Sequence, residues 1–187
     1  MPIERAKAPT KRADAARNRD KILAAAREAF ADPEAEVSMA EVARRAGVGM
    51  ATLYRNFPGR RELLEALYSE VIDGILVAAD EGSGATAGER LDAWLRAFLD
   101  FSTAKRQLVA ELLVEDDDRS VFNENRARVM AAGEPLLAAA RKSGEVRADL
   151  SLVQILELVI AVGKIRGDAD FVEPILDATL QGLRPPG

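Results

Sequence analysis

Residues 38–67 read SMAEVARRAGVGMATLYRNFPGRRELLEAL, and this stretch decides the fold of the N-terminal part of the chain. Ser38 is followed three residues later by Glu41, a spacing at which each side chain satisfies a free backbone N–H at the start of a helix. Gly47 supplies the permissive backbone that ends this helix and turns the chain. A second short helix is predicted from about Gly49 to Asn56. The segment therefore predicts two short helices that meet at a steep angle.

Two short helices joined in this way form a helix-turn-helix, whose second helix enters the major groove of DNA. Leu53 and Phe57 are predicted to anchor that helix to the core. Arginine can address guanine and asparagine adenine by paired hydrogen bonds, while a tyrosine hydroxyl and free helix N–H groups suit phosphates. The candidate DNA contacts are Gly49, Met50, Thr52, Tyr54, Arg55, Asn56, Arg60 and Arg17.

The charge distribution agrees with a DNA-binding N-terminal part. The whole chain carries a net charge of -5, yet residues 1–61 contain 13 Lys/Arg against 8 Asp/Glu. Residues 1–16 are basic, contain two prolines and have little apolar content. They are predicted to be a flexible arm that lies along phosphates or reaches a minor groove, the alternative being a solvated tail.

The helix-turn-helix together with residues 17–30 resembles the DNA-binding domain of the TetR family of transcriptional regulators. The residues that carry the resemblance are Ile22, Ala25, Ala26, Phe30, Glu41, Val42, Ala43, Ala46, Gly47, Val48, the run Thr52-Leu53-Tyr54-Arg55-Asn56-Phe57, Leu63 and Leu64. The resemblance covers about the first third of the chain and implies that Thr52, Tyr54 and Arg60 contact DNA. Two departures are present: residues 31–37 lack the glycine that often follows the first helix, and Asn56 stands where a histidine is frequent.

Composition excludes several other classes of protein. The 187 residues contain no Cys and no His, which removes disulfides, thiolate chemistry, His-dependent triads and the commonest metal ligand. An all-α enzyme would need paired carboxylates, and the acidic residues 115–118 have neither the spacing nor the partners of a metal site. The longest apolar stretch, residues 150–162, is interrupted by polar side chains and is too short to span a membrane. We therefore expect neither an enzyme nor a cofactor or metal, and no membrane association, in a protein located in the cytoplasm.

Only helices are predicted after residue 60, over residues 60–80, 88–103, 105–115, 119–143, 150–165 and 171–183. The predicted fold class is all-α. An N-terminal three-helix helix-turn-helix domain at 17–61 follows the arm and precedes a helical ligand-binding and dimerisation domain at 62–187.

The last two predicted helices point to a second copy of the chain. Residues 150–162 are apolar on nearly all sides, and such a helix must be covered on both faces. A homodimer about a two-fold axis would cover it and would suit a palindromic operator in double-stranded DNA, whereas the alternative is a central helix of a monomer. The resemblance implies the dimer. The candidate interface residues are Leu152, Ile155, Leu156, Val159, Ile175, Leu176 and Leu180.

The apolar face of the larger domain has two interpretations. Trp94, Phe98, Phe101, Leu112, Phe122 and Met130 either line a ligand cavity or fill a solid core. The resemblance favours a cavity for a small-molecule effector, largely apolar, whose binding releases the operator. A cationic ligand at Asp116, Asp117 and Asp118 is less favoured, because an acidic run is more often a solvated turn. The alternative function is a DNA-binding regulator without a small-molecule ligand, which acts through a protein partner.

Overall fold

The computed structural model describes residues 11–30, 37–115 and 120–185, with side chains described except at 11, 12, 103–115, 120 and 121. Eight helices make up this described part: α1 (Lys11–Ala29), α2 (Met39–Ala46), α3 (Met50–Asn56), α4 (Arg60–Glu81), α5 (Ala87–Glu115), α6 (Ser120–Lys142), α7 (Leu152–Gly163) and α8 (Ala169–Gln181). No strand occurs within these ranges, and the predicted all-α class is confirmed. No helix in the described part is long and apolar enough to cross a bilayer.

Two predicted boundaries differ from the structure. Helix α1 begins at Lys11, so residues 11–16, which were assigned to the flexible arm, are helical, and the arm before them lies outside the described residues. Residues 88–103 and 105–115 were predicted as two helices but form the single helix α5. The reason is local, because residues 103–105 (Thr-Ala-Lys) contain no glycine or proline that would break a helix.

The chain divides into two compact units between Leu67 and Tyr68, within α4. The predicted boundary lay six residues earlier, after Arg61, where the sequence offers no better signal than the start of a helix. Unit 1 packs α1, α2, α3 and the first turns of α4 around one apolar core. Its buried members include Ile22, Ala26, Phe30, Val42, Leu53, Phe57, Leu63 and Leu64.

Unit 2 contains the rest of α4 and helices α5 to α8. Its largest fully buried side chain is Trp94, and its core also contains Leu91, Leu95, Leu137, Leu152, Ile155 and Val159. Gly133 on α6 permits close packing, because a Cβ at that position would collide with the ring of Trp94. Helix α5 is tied to α8 by Arg96, which pairs with Glu173 and Asp177. The hydrogen bond to Asp177 raises the pKa of Arg96 above its ordinary value, so this link stays charged at any ordinary pH.

Candidate nucleic-acid interface and ligand cavity

The turn between α2 and α3 is built by local caps. The hydroxyl of Ser38 accepts a hydrogen bond from the Glu41 N–H at 3.2 Å, which satisfies one free donor at the start of α2. Gly47 has φ 65°, in the left-handed region, and its N–H donates to the carbonyls of Ala43 and Arg44. Helix α3 then starts after Gly49, whose extended backbone (φ -73°, ψ 152°) lets the chain change direction. This geometry is the predicted helix-turn-helix.

Helix α3 has a buried face and an exposed face. Leu53 is fully buried, and Phe57, at the C-cap, is 1% exposed, so both anchor the helix to unit 1. On the other face Met50 is 39% exposed and Tyr54 47% exposed, values that are high for large apolar or aromatic side chains. Thr52 is half-buried. The sequence-predicted contacts on α3 therefore lie on or beside one exposed face.

Two of these side chains make hydrogen bonds within α3. Arg55 donates from Nε to the Ala51 carbonyl at 3.1 Å and from Nη2 to Thr52 Oγ1 at 3.0 Å. Because these bonds are exposed, DNA can replace them at little cost. Asn56 is half-buried and donates from Nδ2 to the Thr52 carbonyl at 2.8 Å, so its amide donor is engaged in the protein.

Arg60 occupies different surroundings from those expected of a phosphate contact, whereas Arg17 is exposed. The half-buried Arg60 donates a hydrogen bond to the Val37 carbonyl, and its guanidinium lies over the Phe30 ring at 5.1 Å. Arg60 thus ties the start of α4 to α1 and to the segment before α2, and it acts at least in part as a packing residue. Arg17 is exposed on α1, where it pairs with Asp14. Exposed Arg17 remains available to a phosphate.

Glu41 balances two arginines on α2. Its carboxylate accepts hydrogen bonds from Arg44 Nη2 at 2.7 Å and from Arg45 Nε at 2.6 Å. The bonds from Arg44 and then from Arg45 lower the pKa of Glu41 to about 2, so the carboxylate is charged at neutral pH. The pairing keeps both guanidinium groups together beside the turn.

Unit 2 contains a cavity of about 510 Å³, partly open to solvent, between α4, α5, α6 and α7, and its volume lies within the usual range for small-molecule sites. Phe98, Phe122 and Met130, all predicted to line a ligand cavity, lie in its wall. Trp94 and Phe101 do not: Trp94 is fully buried behind the wall, and the Phe101 ring lies against Gly74. The side chain of Leu112 and the acidic run 116–118 lie outside the described residues.

The sequence reasoning missed the other wall residues, which are Tyr68, Ile72, Ile75, Ser102, Asn123, Asn125, Arg126, Val129, Val153, Leu156, Glu157, Ile160 and Lys164. Tyr68 makes an edge-to-face contact with Phe122, with ring centroids 5.3 Å apart. Burial raises the pKa of Tyr68 to about 12, which keeps its hydroxyl protonated. Helical spacing held a usable signal, because Asn125 and Val129 follow Phe122 at three and seven residues along α6.

A second cavity of about 570 Å³ lies near the start of α5 and the end of α8. Its wall carries charged side chains that already have partners: Arg96 pairs with Asp177, and Glu145 accepts hydrogen bonds from Thr86 and Ser143. Among the residues the structure describes, no group of three or more acidic side chains is arranged to hold a metal ion. The first cavity is therefore the better site for an apolar ligand.

Most of the residues predicted to form a dimer interface are buried within their own protomer. Leu152, Ile155, Leu156, Val159, Leu176 and Leu180 are each at most 7% exposed, and only Ile175 is half-buried. They cover the core of unit 2, where α7 packs against α5, α6 and α8. For the six buried residues this corrects the predicted assignment to a surface shared by two copies, whereas for Ile175 the assignment stays a prediction. The exposed apolar side chains of this region are instead Leu158, Ile165 and Phe171.

Comparison with known proteins gives two family matches that together span most of the chain. Residues 22–67 match the model described as bacterial regulatory proteins of the tetR family. Residues 86–185 match the model described as the C-terminal domain of SbtR-like transcriptional regulators. The first match coincides with the helix-turn-helix and its flanking helices, and the second with α5 to α8.

Individual proteins agree with these matches. A TetR transcriptional regulator from Streptomyces coelicolor is 32% identical, with a TM-score of 0.74, over 90% of this chain and 99% of that protein. A TetR regulatory protein from Mycobacterium vanbaalenii is 33% identical, with a TM-score of 0.75, over 94% of this chain and all (100%) of its own. An uncharacterised HTH-type transcriptional regulator of Mycobacterium bovis is 29% identical over an alignment of 151 residues that covers 76% of this chain and 76% of that protein.

Proposed function

The chain belongs to the TetR family of DNA-binding transcriptional regulators, and from that premise we propose that it is a dimeric repressor released from its operator by a small, largely apolar ligand. DNA binding and transcription regulation follow from family membership. The proposal adds four points: which residues recognise the operator, that two copies of the chain pair, that a ligand binds, and that the ligand releases the DNA. Each point rests on a separate feature of the two units.

The observation that carries DNA recognition is the exposed face of α3. Leu53 and Phe57 hold the opposite face in the core, so Tyr54 and Arg55 point away from unit 1. A seven-residue helix held in this way offers its first turns to the floor of a major groove. We assign base recognition to Arg55 and Thr52 and phosphate contacts to Tyr54, Arg17 and the backbone near Gly49 and Met50. Arg60 acts indirectly, because its contacts with Val37 and Phe30 hold the start of α4 in place.

The observation that supports a second copy is an apolar surface on α7, α8 and the turn between them. Leu158 is 43% exposed, Ile165 37% and Phe171 58%, and the smaller Ala161 and Ala178 are exposed on the same two helices. Leu158, Ala161 and Ile165 follow one another at three and four residues, which places them on one stripe of α7 and its C-terminal extension. A cluster of exposed large apolar side chains is unusual on a monomer. An antiparallel pairing of α7 and α8 with the same helices of a second copy would bury this surface.

The ligand step uses the 510 Å³ cavity, whose wall is mainly aromatic and aliphatic. Helix α4 contributes Tyr68, Ile72 and Ile75 to that wall, and the same helix begins in unit 1. A ligand that binds the released state more tightly shifts the population away from the DNA-bound state. The preference must reach about 10⁴-fold, or roughly 5.5 kcal/mol, to move most of the protein.

A release assay tests the proposal. The purified protein is bound to a labelled fragment that contains its operator, and apolar compounds of a size that fits the cavity are titrated while fluorescence anisotropy and thermal unfolding are followed. We expect at least one compound class to raise the unfolding temperature and to release the DNA. Saturation of a broad panel without either effect would contradict ligand-responsive repression and favour a regulator that acts through a protein partner.

A further inference from the structure

The cavity wall contains one buried polar side chain that stands out from its surroundings. Asn125 on α6 is 4% exposed and is the one polar residue among the buried residues that the structure describes. Its neighbours in the wall include the apolar side chains of Ile72, Phe98 and Val129. A buried amide in apolar surroundings is costly unless its hydrogen-bonding groups find partners.

The orientation of this amide is fixed by Arg128. Arg128 donates from Nη1 to the Asn125 side chain at 3.1 Å, and a guanidinium can only donate, so the accepting atom is Oδ1. Arg128 is held in turn by Asp73 on α4 through its other terminal nitrogen. The Asn125 oxygen is thus occupied, while within the described residues no hydrogen bond is donated by its NH₂ group. The one fully buried side-chain nitrogen without a partner in that part of the chain is Arg141 Nε, so the Asn125 nitrogen retains some exposure, and Asn125 lines the cavity.

We propose that Asn125 is the specificity-determining contact of the ligand cavity and that its NH₂ group donates a hydrogen bond to a neutral acceptor, such as a ketone or ester carbonyl, on an otherwise apolar ligand. The inference rests on the proposed ligand-responsive function and names the class of ligand for that site. An acceptor would satisfy the unused donor inside the cavity.

The charges around Asn125 favour a neutral acceptor over an anionic one. Asp73 already balances the charge of Arg128, so no uncompensated cation stands behind the amide. The charged wall residues Arg126, Glu157 and Lys164 are all exposed and of both signs. A carboxylate beside Asn125 would lose its hydration without gaining an ion pair, whereas a carbonyl would lose little.

The naphthyl ketone prodan is a suitable probe, since its emission moves to longer wavelength when its carbonyl accepts a hydrogen bond. Dimethylaminonaphthalene, which lacks the ketone, serves as the matched compound. We expect the wild-type protein to bind prodan more tightly than dimethylaminonaphthalene. The emission of bound prodan should be that of a hydrogen-bonded carbonyl.

Asn125→Asp removes the NH₂ donor and keeps an oxygen for Arg128, so the fold should be retained. It is expected to weaken prodan binding about ten-fold and to move the bound emission to shorter wavelength, with little change in dimethylaminonaphthalene binding. Gln181→Glu makes the same change from amide to carboxylate at an exposed residue of α8, outside this cavity, and should alter neither. Thermal unfolding and operator affinity without probe verify that both variants are folded.

Each other outcome overturns the inference in a recognisable way. If prodan binds and Asn125→Asp leaves its affinity and emission unchanged, Asn125 does not select the ligand, while the cavity remains a ligand site. If neither probe binds a folded protein that still holds operator DNA, the ligand step of the proposed function fails together with the inference.

Discussion

The indole Nε1 of Trp94 donates a hydrogen bond to the backbone carbonyl of Ile75 at 3.2 Å and so links α5 to α4 in the core of unit 2. Trp94 is the one tryptophan of the chain, and the centroid of its ring lies 6.1 Å from that of Phe98, which lines the 510 Å³ cavity. The same ring fills the space beside Gly133 on α6. Trp94 therefore joins three helices directly behind the cavity wall.

Replacing this indole tests how much the link contributes. Trp94→Phe loses the hydrogen bond to Ile75 and leaves a small void beside Gly133, and we expect a loss of about 1–3 kcal/mol in the free energy of unfolding. Urea unfolding followed by circular dichroism measures it. An unchanged midpoint would mean that the contact adds nothing to unit 2.

The turn between α2 and α3 depends on the backbone of Gly47. A serine at φ 65° is strained although its Cβ would meet nothing within 4 Å, so Gly47→Ser should destabilise unit 1 by about 1–2 kcal/mol. Gly49→Ser is the matched control, since Gly49 has an ordinary extended backbone and serine is a favourable N-cap. Thermal unfolding of the two variants compares them. Equal stabilities would contradict the role given to the left-handed residue.

The proposed dimer surface predicts a charge-sensitive assembly. Leu158→Glu places a carboxylate on the apolar stripe of α7, and we expect the dimer to weaken by roughly 2 kcal/mol or more because the substitution occurs once in each copy. Val77→Glu is the control, because Val77 is 51% exposed and lies on α4, which is not one of the two helices assigned to the interface. Sedimentation velocity at several concentrations distinguishes monomer from dimer. Dimerisation of Leu158→Glu at wild-type affinity would exclude this surface.

Burial of Tyr68 predicts a dependence of stability on alkaline pH. Its pKa is raised from 10.0 to about 12 in the folded state, so between these values the unfolded chain loses the proton and the folded chain keeps it. The stability from the neutral phenol is complete below pH 10 and falls as pH rises towards 12, by up to roughly 2–3 kcal/mol. Tyr68→Phe should remove this part of the decline. Parallel urea titrations of wild type and variant at pH values across the window measure the difference, and identical slopes would contradict it.

Arg55 is expected to carry sequence preference. Arg55→Ala should lose about 1–3 kcal/mol of operator binding and relax selection at one base position. Arg17→Ala, which removes an exposed arginine of α1 that we assign to a phosphate, should weaken all sequences alike and lower the salt dependence of binding. Binding to an operator and to single-base variants at several salt concentrations separates the two effects. If Arg55→Ala retained both affinity and base preference, the assignment of base recognition to Arg55 would be wrong.

The sequence predicted the elements whose signals are local. The capping pair Ser38 and Glu41, the glycine at 47 and the apolar spacing around Leu53 each specify their own backbone, and the helix-turn-helix follows from them. Fold class was predictable for the same reason. No run of alternating apolar and polar residues is long enough for a sheet, whereas apolar residues recur at helical spacing along the chain.

What sequence could not predict depends on which side of a helix faces which neighbour. Helix α7 is apolar nearly all round, so periodicity did not distinguish Ile155 and Val159, which fill the protomer core, from Leu158, which is exposed. The same limit applied to Trp94, which lies behind the cavity wall, and to Asn125, whose partners Arg128 and Asp73 come from two helices. Arg60 was expected beside phosphate, yet its contact with Val37 joins residues far apart in sequence.

Selection of genomic fragments by the purified protein at near-physiological salt, followed by sequencing of the retained DNA, tests the central claim most directly. The account predicts recovery of an inverted repeat whose half-sites lie about one helical turn apart, as two copies of α3 on a two-fold axis require. Retention without any common sequence, abolished by modest added salt, would contradict it, because that behaviour reflects attraction to phosphates alone.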